Sequence, residues 1–369
     1  MEDGANDAGR ENSPTARNIR FVAAWVVVVL LLYVAGALAG ARLLGQYKTA
    51  AEQVRQAKLA SPTLDLTVPL PGTETLEKGK PVAILVGISV RRVAALAPKD
   101  QAWTGDFNIG FRWPAGAIRQ PAEVFRIINA EVQQQEKVQS AARGAEHYEE
   151  YHVVARITKP FDGTRFPLAD EVLLIQVEAP AQPGLVLRYV ADAKHSYVGP
   201  ESMPPNVRLI ESLATARLLA YRSEGKVKTH SQFVFAMQVV PNSVSLYLKL
   251  FQALYASVAI ALVALYIKPI HLDARFGMPV GAFFASVSNI VAMEPFLPPA
   301  NRLALTDMVN LAGMVTIFLV MVQSVISLYL YDTLGRERSS RLFDRISFAL
   351  LLFGYAALNL TQPLAASSG

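Results

Sequence analysis

The hydrophobic positions of the chain gather in five long apolar runs, one near the amino terminus and four near the carboxyl terminus. The first run occupies residues 21–41 and contains no charged side chain. The other four cover residues 246–267, 276–297, 308–330 and 346–360. A helix needs about 20 apolar residues to cross the hydrocarbon core of a bilayer, and only the last run is near the lower limit. The pattern predicts one amino-terminal span and a bundle of four further spans.

Residues 81–240 have a different pattern, in which short apolar runs alternate with proline, glycine and charged residues. Residues 82–90 form one candidate strand, and apolar and polar side chains alternate cleanly over residues 107–113. Short strands at this spacing are typical of an antiparallel β-sandwich. Residues 123–138 interrupt the pattern, and we interpret them as a short helix or a long polar loop. The sequence therefore predicts a β-sandwich between the first span and the bundle.

Two interpretations of the amino-terminal run stay open at this point. It follows a polar tail, residues 1–20, and precedes a linker, residues 42–80, whose first part (residues 42–58) could form a short amphipathic helix. Small residues at 37–41 resemble a signal-peptidase site, which would make the run a cleaved signal sequence. The length of the run favours an uncleaved transmembrane anchor instead.

The composition indicates a membrane protein and excludes several kinds of site. Of the 369 residues, 52% are hydrophobic and only 18% are charged, whereas soluble domains carry about a quarter charged residues. The chain has no cysteine, which excludes disulfides, thiolate metal sites and cysteine nucleophiles. The sequence also lacks the H-E-x-x-H, G-x-S-x-G, P-loop and dinucleotide-binding motifs. We expect neither an enzyme nor a bound cofactor.

The net charge of +5 follows the predicted topology and does not indicate nucleic-acid binding. With a cytoplasmic amino terminus, the loop at 298–307 is extracytoplasmic and carries only Arg302, although residues 42–58, on the same side, are also basic. Most other basic residues near the spans then lie on the cytoplasmic side, as the positive-inside rule requires. They are Arg10, Arg17, Arg20, Lys268, Arg275, Arg336, Arg338, Arg341 and Arg345. This orientation places the sandwich outside the cytoplasm.

Residues 155–167, which read ARITKPFDGTRFP, resemble the signature loop of pentameric ligand-gated ion channels. A disulfide closes that loop in animal members and is missing in bacterial members, so a chain without cysteine fits the bacterial branch. The pair Phe166 and Pro167, followed by a strand candidate at 172–175, is the strongest match. The family usually has an aspartate two residues after this proline, where the present chain has Ala169.

A second match lies between the second and third spans of the predicted bundle. Leu297 and Pro298 end one span, and the sequence LALTD at 303–307 opens the next, much as in the family. The resemblance covers most of the chain from about residue 81 onward and leaves the amino-terminal span outside it. It implies an extracytoplasmic antiparallel β-sandwich on a four-helix transmembrane bundle, assembled as a homopentamer in the bacterial inner (plasma) membrane.

The resemblance further implies that the second span of the bundle lines an ion pathway. Asp273 and Arg275 stand at its start, as an acidic and a basic residue often do in cation-selective relatives. Helical spacing gathers six residues on one face of this span. They are Asp273, Gly277, Gly281, Phe284, Ser288 and Val291.

In a ring of five such helices, each kind of residue on this face would have its own role. Asp273 at one mouth and Glu294 near the other would form acidic rings that favour cations, and Phe284 and Val291 would form apolar constrictions. The alternative is that Gly277 and Gly281 only form a helix-packing face. Pro279 also tends to kink the helix.

The coupling contact between the sandwich and the bundle is also implied by the resemblance. Phe161, Phe166 and Pro167 would rest on the linker that contains Pro298 and Asp307, so that a shift of the sandwich tilts the pore helix. The alternative is that these prolines only form turns.

Aromatic residues between neighbouring sandwiches line the ligand sites of the family and can hold a cation or an amine. The candidates here are Trp103, Tyr148, Tyr151, Tyr189 and Tyr197, of which Tyr189 and Tyr197 rank first. The alternative, which is the commoner role of such residues, is packing in a core or on the face of a strand. The expected function is a ligand-gated, cation-conducting homopentamer, with a small-molecule ligand of unknown identity, inorganic ions and the lipid bilayer as partners. The alternative is a non-conducting membrane-anchored sensor or scaffold whose sandwich binds a partner or a small ligand.

Overall fold

The computed structural model describes residues 16–59, 82–115, 125–179, 187–223, 226–241 and 243–367. Most of the predicted tail at 1–20, the second half of the linker at 42–80 and residues 123–124 lie outside the described residues. The described helices are α1 (Ala16–Leu59), α2 (Ser243–Val263), α3 (Leu272–Met293), α4 (Leu305–Leu328) and α5 (Glu337–Ala366). The described strands are β1 (Val82–Ala97), β2 (Ala102–Pro114), β3 (Arg126–Ile127), β4 (Ala130–Arg143), β5 (Glu146–Thr158), β6 (Glu171–Glu178), β7 (Leu187–Ala191), β8 (Tyr197–Val198), β9 (Val207–Ser223) and β10 (Lys226–Pro241).

The strands form two sheets. One has the order β4-β5-β2-β1-β7, with β8 also paired to β1, and the other has the order β3-β6-β10-β9. The pairing is antiparallel except that β7 and β8 run parallel to β1. The expectation of purely antiparallel pairing is therefore wrong at this edge. The reason is that β6, which precedes β7 in the chain, belongs to the other sheet. The chain crosses from that sheet to the first one, where β7 lies beside β1 and runs in the same direction.

The two sheets share one buried apolar cluster. Phe107 and Phe111 of β2 contribute from the first sheet, and Phe233 and Phe235 of β10 contribute from the second. Side chains of β2 alternate between buried and half-buried positions, as expected for a strand with one face on a core. This arrangement is compatible with a β-sandwich.

The segment at 123–138 differs from its prediction. Residues 126–127 and 130–143 form β3 and β4, whereas a helix or a loop was expected. β4 lies at the edge of its sheet, pairs with β5, and exposes residues 131–140 to solvent. A strand exposed on both faces has no alternation of apolar and polar residues, so its pattern could not indicate a strand.

Within the described residues, five helices are long and apolar enough to cross a membrane. α1 continues without interruption from Ala16 to Leu59, well past the apolar run at 21–41. α5 begins at Glu337, nine residues before the apolar run at 346–360, because its polar first turns are helical. Arg341 donates to Glu337 one turn earlier, a pair that stabilises such a segment.

Helices α2 to α5 pack on one another and form a bundle, and α1 packs along α5. Val258 of α2, Val320 of α4, Leu351 of α5 and Val29 of α1 belong to a single buried cluster. A second cluster, at the opposite end of the helices, includes Leu168 from the segment between β5 and β6. The sheets and the helices therefore meet at this end of the bundle.

Candidate functional site

The surface of α3 is divided into a buried face and an exposed face along its whole length. The buried residues recur every three or four positions and face the rest of the bundle. They are Arg275, Pro279, Ala282, Ser286, Asn289 and Met293. The six residues predicted to line a pore all lie on the exposed face, where Phe284 and Val291 leave 65% and 66% of their surface accessible. A single chain thus leaves a mixed apolar and polar stripe of one helix uncovered.

The two glycines of this stripe have no packing partner within the described residues. A Cβ atom built on Gly277 or Gly281 would meet no atom within 4 Å. A small-residue packing face requires a second helix close to the glycines. The described part of the chain supplies no such helix at Gly277 or Gly281.

Pro279 is compatible with a continuous α3. It lies on the buried face, near the amino-terminal end of the helix, and α3 continues through it to Met293. A proline removes one backbone hydrogen bond from a helix. The exposed stripe is therefore part of one continuous helix both before and after Pro279.

Acidic side chains mark both ends of α3. Asp273 is exposed in its first turn, where the positive end of the helix dipole favours a carboxylate. Glu294 is exposed in the short 3-10 turn that follows the helix. The rise of a helix separates these residues by about 30 Å, the thickness of a bilayer core.

Arg275 lies beside Asp273 in sequence but is fully buried and paired with a carboxylate. Its two terminal nitrogens, Nη1 and Nη2, donate to Oδ2 and Oδ1 of Asp344 on α5 at 3.1 and 2.5 Å. Nη1 also donates to the carbonyl oxygen of Ile267 at 2.7 Å. Gln323 of α4 donates to Oδ1 of Asp344 at 3.1 Å. This buried network ties the start of α3 to α4 and α5.

Sequence reasoning treated Arg275 as one of the cytoplasmic charges and overlooked its partners. Asp344 stands two residues before the apolar run at 346–360, and Gln323 lies inside the run at 308–330. Polar and charged side chains in or beside membrane spans usually find a partner on a neighbouring helix. That rule could have indicated the network.

The segment at 159–170, here called the coupling loop, contacts residues 294–304, which connect α3 to α4. From here on, the linker means these residues 294–304. The backbone N–H of Leu305 donates to the carbonyl oxygen of Thr164 at 2.8 Å. A Cβ atom built on Gly163 would lie 2.6 Å from the carbonyl oxygen of Pro299 and 3.0 Å from that of Pro298. Only glycine lets the two backbones approach so closely.

Charged side chains hold the coupling loop in shape. Asp162 accepts hydrogen bonds from the backbone N–H of Thr164 and from Nε of Arg165, both at 3.0 Å. Lys159 forms an ion pair with Glu171 and lies over the ring of Phe161, with its Nζ 4.0 Å from the ring centre. Burial raises the pKa of the Glu171 carboxyl above its ordinary value. The loop therefore meets the linker as a turn that carries its own hydrogen bonds and an ion pair.

The predicted coupling residues occupy different positions in this contact. Phe161 is buried below Lys159, and Phe166 packs against the apolar cluster at the end of the bundle. The peptide bond between Phe166 and Pro167 is cis. Pro298 lies against Gly163. Asp307 instead caps α4, because its carboxylate accepts from the backbone N–H of Ala304 at 2.9 Å.

The five aromatic ligand candidates do not form one group. Trp103, Tyr151 and Tyr189 are nearly fully buried in the core shared by the two sheets. Burial and a hydrogen bond to Glu149 raise the pKa of Tyr151 to about 12. Tyr197, in contrast, is 57% exposed. In a single chain, the three buried rings have the environment of core residues.

Tyr148 and the turn before Tyr197 are connected by Arg112, which sequence reasoning did not select. The guanidinium carbon of Arg112 lies 5.9 Å from the centre of the Tyr148 ring. Nη1 of Arg112 lies 3.5 Å from Oδ2 of Asp192, which also contacts Nδ1 of His195 at 2.7 Å. These residues place a charged and aromatic surface on the first sheet.

No model of a known protein family matches the chain, and no curated protein matches it. The geometry of the molecule is therefore what bears on its function. Its main features are the exposed stripe of α3, the buried charge network at the start of that helix, and the contact of the coupling loop with the linker.

Proposed function

We propose that the chain is one subunit of a homopentameric, ligand-gated cation channel in which α3 lines the pore. The observation that carries the proposal is the exposed stripe from Asp273 to Val291. It runs the length of a helix that is long and apolar enough to cross a membrane, while the opposite face packs on α2 and α4. A ring of copies would turn this stripe toward a common axis. The resemblance of the loop and linker sequences to pentameric channels supports five copies.

The charges in the first turn of α3 support conduction of cations. Arg275 is buried and neutralised by Asp344, so its positive charge does not face the exposed stripe. The exposed charge of this turn is the carboxylate of Asp273. Five such carboxylates would attract cations to the mouth of a pore, and rings of Phe284 and Val291 could close it by dewetting.

Gating would pass through the coupling loop. The loop joins β5 to β6 and contacts the linker that follows α3. A ligand that shifts the two sheets would move the loop, and the linker would transmit this motion to the end of the pore helix. The basic residues near the spans support an orientation with the sheets outside the cytoplasm of a bacterial cell.

The proposal is tested by measuring the mass of the assembled protein and the ion current that it carries. In detergent, native mass spectrometry should give five copies of the chain, and reconstituted protein should conduct ions across a planar bilayer. Under a KCl gradient, Asp273→Lys should shift the reversal potential toward that of chloride. Asp332→Lys is the matched control, because Asp332 is also exposed but lies beyond α4, and it should leave selectivity unchanged.

Two results would contradict the proposal. An unchanged reversal potential in Asp273→Lys would remove Asp273 from the mouth of the pore. A monomer or dimer that carries no current would favour the alternative of a non-conducting sensor or scaffold, in which the helices only anchor and pack.

A further inference from the structure

Among the described helices, α1 lies outside the part of the chain that resembles channels, yet it is fitted closely to the bundle. The hydroxyl of Tyr33 lies 2.7 Å from Oγ1 of Thr316 on α4, and both groups are buried. The ring of Tyr33 passes α5 at Gly354, where a built Cβ atom would lie 2.5 Å from the ring. The bundle therefore has a notch that fits this tyrosine.

Contacts between α1 and α5 continue toward both ends of the bundle. At one end, Phe21 and Trp25 contact the ring of Phe343, with ring centres 6.3 and 6.1 Å apart. Toward the other end, Lys48 donates to the carbonyl oxygen of Ser367 at 2.9 Å. From Phe21 to Lys48 a helix rises about 40 Å, so the packing extends across the whole thickness of a bilayer.

Beyond the membrane-length part, α1 reaches the coupling contact. Leu44 is fully buried and Tyr47 nearly so, in one cluster with Leu168 of the coupling loop and Leu305 at the start of α4. The guanidinium carbon of Arg302, in the linker, lies 5.8 Å from the centre of the Tyr47 ring. One turn of α1 thus shares a buried cluster with the loop and with α4, and its Tyr47 ring faces the linker at Arg302.

A cavity of about 420 Å³ lies next to this cluster, between α1, the coupling loop and the linker. Ala51 of α1, Gly163 of the loop and Pro299 of the linker are among its lining residues. The loop therefore has the cluster with Leu44 and Tyr47 on one side and open space on the other.

We propose that α1 remains in the mature protein as a fifth span and positions the coupling loop and the linker through Leu44 and Tyr47. Removal of α1 would leave the notch at Gly354 empty and the hydroxyl of Thr316 without Tyr33. It would also remove Leu44 and Tyr47 from the buried cluster that contains Leu168 and Leu305. The consequence for gating rests on the proposed function, whereas the retention and docking of α1 do not.

Retention and docking can be tested by a disulfide, because the chain contains no cysteine. A Cβ atom on Gly40 would lie 3.1 and 3.4 Å from Nε2 and Cγ of Gln362 on α5. The pair Gly40→Cys with Gln362→Cys should therefore crosslink on oxidation in membranes. The control pair, Gly45→Cys with Gln362→Cys, should not, since a Cβ on Gly45 meets no described atom within 4 Å. The intact mass of the purified protein should be that of a chain that still contains residues 16–59. The proposal is overturned if the measured mass is that of a chain that begins after residue 41. It is also overturned if cysteines at 40 and 362 form no crosslink.

Positioning can be tested without a ligand by amide hydrogen exchange in the intact protein. Tyr47→Ala should speed exchange in residues 159–170 and 298–305 by about tenfold or more, because a buried ring that braces both is lost. Exchange in β10 should not change. Tyr47→Phe keeps the ring and should restore slow exchange. Leu38→Ala, at an exposed position of α1, is the matched control and should have no effect.

The outcomes separate this proposal from the proposed function. Unchanged exchange in Tyr47→Ala overturns the positioning role even if the wild-type protein conducts. Faster local exchange, restored by Tyr47→Phe, supports the role even if the wild-type protein carries no current, and only the channel proposal then fails. If the wild-type protein conducts, the spontaneous open probability of Tyr47→Ala should also change. An unchanged open probability would contradict the consequence for gating, whereas the positioning role is decided by the exchange measurement.

Discussion

At the scale of residues, the ion pair between Arg275 and Asp344 decides how the start of α3 is held. Asp344→Asn would leave the buried guanidinium without its counter-charge, and breaking a buried pair in this way costs about 3–5 kcal/mol. We expect a large fall in the unfolding temperature of the protein in detergent. Circular dichroism during heating measures this temperature. The double variant Arg275→Met with Asp344→Leu removes both charges and should recover much of the loss.

A matched surface variant controls this measurement. Glu337→Gln removes an exposed pair with Arg341 on the same helix, and exposed helical pairs contribute only about 0.3–0.5 kcal/mol. Its unfolding temperature should stay near that of the wild type. Equal unfolding temperatures for Asp344→Asn and Glu337→Gln would show that the buried network does not stabilise the bundle.

Gly354 provides a second test at this scale, because its lack of a side chain admits Tyr33. Gly354→Ala forces the tyrosine ring to move and should destabilise the protein by about 1–3 kcal/mol, as overpacking does. Gly45→Ala, at an open position of α1, should be neutral or stabilising. Thermal unfolding measures both. In a Tyr33→Ala background the Gly354→Ala change should cost much less, and equal costs in the two backgrounds would contradict the notch.

The exposure or burial of a residue could be predicted from the sequence only where a local rule applies. The period of 3.6 residues per turn is local, so it placed six residues of α3 on the face that the structure leaves exposed. The pairing of Arg275 with Asp344 joins residues 69 positions apart, and helical periodicity contains no information about it. The burial of Trp103, Tyr151 and Tyr189 likewise depends on how two sheets face each other.

At the scale of elements, the coupling loop and the linker form a contact between backbones. Gly163→Ala would place a methyl group against the carbonyl oxygens of Pro298 and Pro299 and should push the loop away from the linker. The hydrogen bond from Leu305 to Thr164 should weaken, so amide exchange at Leu305 should become several-fold faster. Thr164→Ser changes only the side chain of the next residue and is the control. Unchanged exchange at Leu305 in Gly163→Ala would mean that the two backbones do not meet in solution.

Which elements could be predicted depends on their environment. The four carboxy-terminal helices each overlap the apolar run that indicated them, because a bilayer requires about 20 consecutive apolar residues, although the first three runs extend a few residues past the ends of α2, α3 and α4. β4 gave no such signal, since residues 131–140 face solvent on both sides. The parallel placement of β7 depends on a partner about 100 residues away, and the packing of α1 on α5 joins the two ends of the chain. Long-range contacts of this kind leave no periodic pattern.

At the scale of the whole molecule, the distribution of charge predicts which parts lie on each side of a membrane. Lys194 is exposed in the turn between β7 and β8, and Arg338 is exposed at the start of α5. The positive-inside rule predicts that Arg338 lies in the cytoplasm. Three helices of membrane length, α2, α3 and α4, lie between the sheets and α5, and three crossings put Lys194 and Arg338 on opposite sides. Single variants Lys194→Cys and Arg338→Cys have a clean background because the wild-type chain contains no cysteine. On intact spheroplasts, a membrane-impermeant maleimide should label Lys194→Cys at once and Arg338→Cys only after permeabilisation. Labelling in the reverse order would place the sheets in the cytoplasm, and equal labelling of both would mean that the helices between them do not cross the membrane.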